Sequence, residues 1–323
     1  MTMTCTVNSL RFIATAWIGS LFLALMSGCR GDSVSTESLP NETSKVITSN
    51  YPLWFFAERL GGDEIAVELP VPTSINPSFW RPDAEDVQEM QRAKLVVLNG
   101  AGYEHWLPSV TLSTRKLVKT AEPFQAQWIQ IETEVTHNHG PEGEHSHTGW
   151  ADHTWLAPEL ASEQLRSLSL SMAKAFPNQA EEIEGREKEL QVSLSQLSES
   201  MTLRLGGYAG QPVLASHPVY QYLGRQLGVE LESVEWEPGT TPDASQRESF
   251  EQLLERHPAS VMLWQAEPTP STRDYLETHG VKVVVFETCG NRPLEGDLLT
   301  KMQSGIDRLA RALKASPSLS GVR

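Results

Sequence analysis

Short apolar runs alternate with amphipathic stretches along the first half of the chain. Apolar runs bounded by turn residues are typical of buried strands, and apolar positions recurring every three or four residues are typical of helices. The pattern predicts strands at residues 46–49, 65–69 and 95–98, and helices at residues 51–60 and 84–92.

The second half of the chain repeats this pattern. It predicts strands at residues 213–215, 261–264 and 281–286, and helices at residues 219–226, 271–279 and 298–313. Because strand–helix alternation implies βαβ units, we expect a mainly parallel sheet in each half. The predicted fold class is therefore α/β, with two βα lobes.

Between the two halves lies a stretch that contains no predicted strand. Residues 158–175 and 179–205 form two consecutive helix patterns separated by Pro177. The second pattern places apolar residues on one helix face: Ile183, Leu190, Leu194, Leu197, Met201 and Leu205. We expect one long helix that bridges the lobes and restricts their relative motion. A lone amphipathic helix inside one domain is the alternative.

The N-terminal segment has the pattern of a targeting signal. Arg11 is its only charge, and the apolar run at residues 12–25 is short for a membrane span. It ends in Met26-Ser27-Gly28-Cys29, which resembles a bacterial lipoprotein signal, although Met26 replaces the usual leucine. We therefore expect a signal peptide at residues 1–28, a lipid anchor on Cys29 and a flexible tether at residues 29–44.

Composition narrows the classes of partner. The hydrophobic fraction is 39% and the aromatic fraction 7%, which is ordinary for a soluble globular protein. The net charge of −15 argues against nucleic acid as a partner, because such a partner needs a basic face. Of the three cysteines, Cys5 leaves with the signal and Cys29 carries lipid, so Cys289 has no partner for an intramolecular disulfide.

Histidines are concentrated in one glycine-containing loop. His137, His139, His145 and His147 form two H-x-H pairs, whose imidazoles suit a borderline metal such as zinc. A solvated polar loop with accidental histidines is the alternative. His153 follows in an apolar frame of tryptophans, where it is either a packed histidine or a metal ligand.

Several motifs occur together in a fixed order. They are YPL (51–53), AKLVVLNGAGYEHWL (93–107), DHTWLAP (152–158), ASHPVYQYL (215–223), EP (267–268) and FETCG (286–290). The set resembles the zinc/manganese-type substrate-binding proteins of ABC importers. The resemblance implies that one long helix bridges the lobes and that four loops hold a metal in the cleft between them. It implies these divisions after the tether: an N-terminal lobe (45–158) with the His-rich loop (136–149), linker helices (159–206), a C-terminal lobe (207–316) and a tail (317–323).

The resemblance also implies metal ligands. His153 matches the family's second-loop ligand, and His217 matches the third-loop ligand. Glu287 matches, or lies next to, the fourth-loop acid. Cys289 lies two residues further on and is a second candidate, as a thiolate or as a buried small residue.

The first-loop ligand departs from the family pattern. In the segment PSFWRP, which begins at Pro77, Ser78 stands where the family has histidine, and a hydroxyl is a poor zinc ligand. Arg81 stands where the family has an acid and would repel a cation. His105 is the nearest replacement in sequence, and a water molecule is another. We expect the cleft to be lined by two aromatic residues of the same segment, Phe79 and Trp80.

These observations predict a binding protein and not an enzyme. The expected protein is a monomeric receptor, anchored at Cys29, that captures Zn²⁺, or alternatively Mn²⁺, and delivers it to an ABC transporter permease. Ser78 and Arg81 favour the alternative of a cleft that has moved to a non-metal ligand. A zinc hydrolase is the third possibility, but the sequence contains no H-E-x-x-H motif.

Overall fold

A computed structural model of the chain describes residues 44–131, 136–138, 144–146 and 149–315. The predicted signal peptide, Cys29, nearly all of the tether and the predicted tail therefore lie outside the described residues. Among the residues described, no helix has the length and apolar character needed to span a membrane.

The N-terminal lobe is built on a parallel four-stranded sheet. Its strands are β1 (Lys45–Thr48), β2 (Ala66–Glu68), β3 (Leu95–Leu98) and β4 (Leu117–Lys119), in the order β2-β1-β3-β4. Its two main helices are α1 (Tyr51–Gly61) and α2 (Ala84–Arg92). Asn50 caps α1 by accepting a hydrogen bond from Leu53 N, and Asp83 caps α2 in a capping box with Asp86.

Four short strands follow the N-terminal sheet. β5 (Gln130–Ile131) pairs antiparallel with β8 (Gly149–Trp150). Between them, β6 (Thr136–Asn138) pairs antiparallel with β7 (Glu144–Ser146) and sets His137 opposite His145 along the backbone. His139 and His147 lie outside the described residues.

Two helices connect the lobes. α3 (Pro158–Ala175) packs on the N-terminal lobe, and α4 (Ala180–Leu205) packs on α3 and on α1. A helix of 26 residues is about 39 Å long, enough to cross a small domain. The apolar face predicted for α4 is buried along its whole length. The long bridging helix is therefore confirmed.

The C-terminal lobe repeats the parallel design. Its strands are β9 (Pro212–Ala215), β10 (Glu230–Ser233), β11 (Val261–Trp264) and β12 (Lys282–Val285), in the order β10-β9-β11-β12. Its helices are α5 (Gln221–Leu227), α6 (Ala244–Arg256), α7 (Pro270–Thr278) and α8 (Leu298–Lys314). Both α5 and α8 pack against α4, which thus touches both lobes. The predicted α/β fold with two parallel-sheet lobes is confirmed.

Direct hydrogen bonds also join the lobes. Asn291 Nδ2 donates to Pro72 O at 2.7 Å and to Ile75 O at 2.8 Å. Tyr51 N donates to Gly290 O at 2.9 Å. Together with α4, these bonds fix the loop after β12 against the N-terminal lobe.

Candidate metal centre

Loops that follow strand ends carry most of the predicted site residues. In parallel sheets the carboxyl ends of all strands lie at one edge, where α/β proteins bind their ligands. His217 follows β9 and Glu287 follows β12, while His153 lies between β8 and α3.

The loop after β3 is held by a buried carboxylate. Glu104 accepts hydrogen bonds from Ser49 Oγ at 2.6 Å, Asn99 N at 2.6 Å and Gly100 N at 3.1 Å. Burial raises its pKa to about 6, and these bonds act in the opposite direction. Ala101 has a φ of 52°, a left-handed conformation that is uncommon for alanine. The hydrogen bonds accepted by Glu104 therefore hold this tight turn in its conformation.

His153 is buried and oriented by a neighbouring acid. Its Nδ1 lies 2.6 Å from Asp152 Oδ1, and its side chain is 8% exposed. Its ring packs on Trp155 and Tyr103, with centroid distances of 4.8 and 5.7 Å. Because an ionised carboxylate only accepts, Asp152 keeps a proton on Nδ1 and leaves Nε2 as the nitrogen for a metal.

The segment that carries His153 is tied to the N-terminal lobe. Asn99 Nδ2 donates to Asp152 O at 2.9 Å, and Thr154 Oγ1 donates to Asn99 Oδ1 at 3.1 Å. Trp155 Nε1 reaches across to Thr288 O of the C-terminal lobe at 2.7 Å. His153 therefore sits on a rigid support where the two lobes meet.

His217 has two glutamate side chains beside it. Its Nδ1 is 3.3 Å from Glu235 Oε2 and 3.3 Å from Glu237 Oε1, and its side chain is 8% exposed. The register explains this contact, since Ser233 at the end of β10 is paired with Ala215 at the end of β9. Burial and the charge of Glu237 raise the pKa of Glu235 to about 8.

The sequence pattern did not predict these two glutamates beside His217, because it indicated no strand at residues 230–233. The alternation of Glu230, Leu231 and Glu232 is a period-two signal for a half-buried strand. That signal, together with the position of β10 beside β9, would have placed Glu235 next to His217.

Glu287 faces cations in the C-terminal lobe. Its Oε1 is 2.9 Å from Lys301 Nζ and 4.0 Å from Arg308 Nη2, and both of these residues lie on α8. Cys289 is buried with a φ of 54°. Burial, followed by the charge of Glu287, raises the pKa of the Cys289 thiol to about 12, so the thiol stays protonated near neutral pH.

The first-loop segment forms a short 3₁₀ turn. Ser78 is 3% exposed, and its Oγ donates to Asn76 Oδ1 at 3.0 Å. The exposed His105 lies alongside this turn, with its backbone N–H donating to Ser78 O at 3.2 Å and its ring 4.8 Å from Phe79. The expectation that Trp80 lines the cleft is wrong. Its side chain is 4% exposed because it packs in the core with its ring edge on Trp106.

The predicted ligands do not form a preassembled cluster. Across residues 44–131 and 149–315, no three His, Cys, Asp or Glu side chains are positioned to hold a metal ion together. The structure instead presents two separately oriented histidines, His153 before α3 and His217 after β9. The assignment of both as ligands, with Glu287, Ser78, His105 and Cys289 as further candidates, stays a prediction.

Together, the fold and these strand-end loops define a two-lobe binding protein. Its lobes are parallel sheets joined by a long helix, with the His153 segment held where the lobes meet and with His217 and Glu287 on the loops after β9 and β12. The chain belongs to the ZnuA family, the periplasmic component A of zinc-uptake complexes, whose family model matches residues 46–312. Because this family consists of transport components, the chain is not an enzyme.

Two named relatives extend this comparison. The chain is 25% identical over 302 residues to the high-affinity zinc uptake system protein ZnuA of Bacillus subtilis, covering 88% of this chain and 85% of that protein. It is 25% identical over 230 residues to the zinc-binding lipoprotein AdcA of Streptococcus pneumoniae. That match covers 70% of this chain and 45% of AdcA, so the chain corresponds to about half of that longer protein.

Solved structures share the fold. The metal-dependent lipoprotein YcdH of Bacillus subtilis superposes with a TM-score of 0.69 at 22% identity, over 83% of this chain and 98% of that one. The Zn(II)-bound ZnuA-like domain of Streptococcus pneumoniae AdcA superposes with a TM-score of 0.69 at 18% identity, over 83% of this chain and 98% of that domain. FpvC of Pseudomonas aeruginosa, solved with Mn²⁺, superposes with a TM-score of 0.69 at 20% identity, over 84% of this chain and 99% of that one.

Proposed function

We propose that this chain is an extracytoplasmic receptor that captures Zn²⁺ where its two lobes meet and delivers it to an ABC transporter permease. One observation carries the proposal. Each of two buried histidines near a strand end, His153 and His217, has its Nδ1 beside a carboxylate. Carboxylate–imidazole pairs of this kind orient metal-binding histidines and increase the basicity of Nε2.

The chemistry of the donors favours zinc over manganese. Neutral imidazole suits Zn²⁺, whereas Mn²⁺ prefers sites rich in oxygen donors. The names of the relatives agree, since the B. subtilis and S. pneumoniae proteins are described as zinc proteins. Mn²⁺ is the alternative cargo, because FpvC was solved with that ion.

Calorimetric titration of the purified mature chain with Zn²⁺ tests this function. His153→Ala and His217→Ala should each abolish tight binding, because each removes an oriented nitrogen donor. His279→Ala is the matched control, since His279 Nε2 also faces a carboxylate, that of Glu251 at 3.5 Å, but lies at the end of α7. Tight binding that survives both cleft substitutions would refute the proposal.

Delivery to a permease is tested in cells. Under zinc limitation by a chelator, cells that carry His153→Ala should need more added zinc for growth than cells that carry His279→Ala. Equal zinc requirements would show that capture at His153 does not feed uptake.

We also propose that residues 1–28 are a signal peptide and that Cys29 is lipidated, so that residues 29–44 tether the receptor to a membrane. The support is the junction Ser27-Gly28-Cys29 after an apolar run. Cys29→Ser should release the protein from the membrane fraction and change its N-terminal mass. If location and mass stay unchanged, the anchor is not at Cys29.

The His-rich loop is proposed as an accessory metal site that is weaker than the main one. Its four histidines, His137, His139, His145 and His147, offer imidazoles on a glycine-containing segment. Deletion of residues 137–147 should remove weak zinc binding and leave one tight site in the titration. Loss of the tight site on this deletion would reverse the assignment.

A further inference from the structure

The hydroxyl group of Tyr103 has no hydrogen-bond partner among the residues that the structure describes. Its side chain is 0% exposed. Tyr220 and Tyr222 are equally buried, but Tyr220 Oη donates to Phe286 O at 2.6 Å and Tyr222 Oη to Ala151 O at 3.0 Å. Because an unpartnered buried hydroxyl destabilises a fold, a functional role would explain why the chain has tyrosine at position 103.

The position of this hydroxyl suggests the reason. The rings of Tyr103 and His153 pack in a T-shaped arrangement, with centroids 5.7 Å apart and an interplanar angle of 75°. The Tyr103 oxygen is 3.1 Å from the point where a Cβ atom on Gly290 would stand. Gly290 belongs to the C-terminal loop that follows β12, and its carbonyl is held by Tyr51 N. The Tyr103 ring therefore contacts the second-loop histidine, and its hydroxyl lies against the fourth loop.

The surroundings hold Tyr103 in this position. The neighbouring Glu104 is fixed by three hydrogen bonds, and the ring of Trp155 packs against Tyr103 at a centroid distance of 5.3 Å. Gly290 leaves the space that the hydroxyl needs, because any side chain there would crowd it. A side chain that is supported on both sides cannot turn away to satisfy its hydroxyl elsewhere.

The set of protein ligands expected for a zinc ion at His153 is incomplete. Ser78 replaces the first-loop imidazole, and its hydroxyl is engaged with Asn76. The carboxylate of Glu287 is paired with Lys301. An ion held by His153 and His217 would therefore keep water in its coordination sphere, and zinc makes its bound water a stronger hydrogen-bond donor.

Building on the proposed zinc-binding function, we propose that the Tyr103 hydroxyl is a positioning group for the bound ion. It accepts a hydrogen bond from a water molecule coordinated to zinc and thereby orients that water between the lobes. No bond to the metal is required. The phenol oxygen acts on the ion only through this water.

Tyr103→Phe tests the inference because it keeps the ring that packs on His153 and removes only the oxygen. In calorimetric titration, the variant should bind Zn²⁺ about tenfold more weakly than the unmodified chain. Its melting temperature without metal should be equal or higher, because an unsatisfied polar group has been removed. The visible spectrum of Co²⁺ bound in place of zinc should also change, since a coordinated oxygen has lost its hydrogen bond.

Tyr220→Phe is the matched control. It removes a hydroxyl that is bonded to Phe286 O, so it should lower the melting temperature without metal and leave zinc affinity within about twofold. Gly290→Ala is a second test that retains the tyrosine. Its new methyl group would displace the Tyr103 oxygen, so this variant should also weaken zinc binding.

Three results would overturn the inference. One is unchanged zinc affinity in Tyr103→Phe. Another is a lower melting temperature of metal-free Tyr103→Phe, which would mean that the hydroxyl is already bonded. The third is an unmodified chain that binds no zinc, which removes both this inference and the proposed function. If His153→Ala abolishes binding while Tyr103→Phe does not, only the inference fails.

Discussion

Replacing Asp152 by asparagine isolates the contribution of charge to the orientation of His153. Asparagine keeps an oxygen near Nδ1 but removes the negative charge. The Nδ1–Oδ1 distance of 2.6 Å is that of a charge-assisted hydrogen bond, and the side chains are only 8% and 22% exposed. The change should therefore weaken the hydrogen bond that orients the proposed zinc-binding nitrogen, Nε2 of His153, without opening a cavity.

The size of the effect follows from the kind of hydrogen bond lost. A bond to a charged group contributes about 1.5–3 kcal/mol and a neutral one about 1 kcal/mol. The difference is about 0.5–2 kcal/mol, and its midpoint of about 1.3 kcal/mol corresponds to roughly tenfold in the zinc dissociation constant. This value is at the lower end of the roughly 10- to 100-fold losses typical of such outer-shell changes.

Competition between the protein and a chromophoric zinc chelator measures this constant over the required range. Asp243→Asn is the matched control, because Asp243 caps α6 and asparagine caps helices equally well. Its zinc affinity should be unchanged. If Asp152→Asn binds zinc as tightly as the unmodified chain while His153→Ala does not bind, the acid does not support the metal-binding nitrogen and the reasoning fails.

Three further predictions concern stability and the first loop. Leu194→Ala on α4 should lower the free energy of unfolding by roughly 3 kcal/mol in urea, because Leu194 is 1% exposed, whereas Leu203→Ala, at a site 87% exposed, should have almost no effect. As the pH rises from 4.5 to 7, the free energy of unfolding of the metal-free protein should fall by on the order of 2 kcal/mol more than that of the Glu104→Gln variant. Denaturant unfolding at several pH values measures this difference. In the folded protein the pKa of Glu104 is about 6, above its ordinary value of 4.5, so the unfolded chain releases this proton first as the pH rises. An equal pH dependence of stability in both proteins would contradict the argument that burial raises this pKa. Ser78→His should tighten zinc binding about tenfold if its imidazole reaches the ion, and an unchanged affinity in the chelator assay would show that residue 78 faces elsewhere.

Much of the architecture could be predicted because its signals are local. The strands at Leu95–Leu98 and Val261–Trp264 are apolar throughout, and the helices at Ala84–Arg92 and Pro158–Ala175 begin and end where the sequence predicts. The buried face of α4 repeats along the whole helix, so its length was evident from periodicity alone.

The elements missed were those with weak local signals. β10 has two exposed glutamates among its four residues, and β4 has only three residues. α6 is mostly polar, although the capping box of Asp243 with Gln246 marks its start. Tertiary packing decides the structure of such segments more than their own composition does.

Prediction of the candidate site is limited in the same way, because its contacts depend on tertiary packing. The sequence offered His153 and His217 as candidate ligands, which stay predictions, but the acids beside His217 depend on the adjacency of β9 and β10, which no local pattern gives. The pairing of Glu287 with Lys301 likewise depends on how α8 packs against β12. Motif order identifies the loops, whereas strand order decides which side chains meet.

The position of a bound zinc ion would show whether His153 and His217 hold it together. Crystals of the mature chain grown with one equivalent of Zn²⁺ would be measured at the zinc absorption edge, where anomalous scattering locates the metal. We expect a single strong peak between the lobes, about 2.0–2.1 Å from Nε2 of His153 and from Nε2 of His217. A strong peak that contacts neither histidine, or no peak at all, would contradict it.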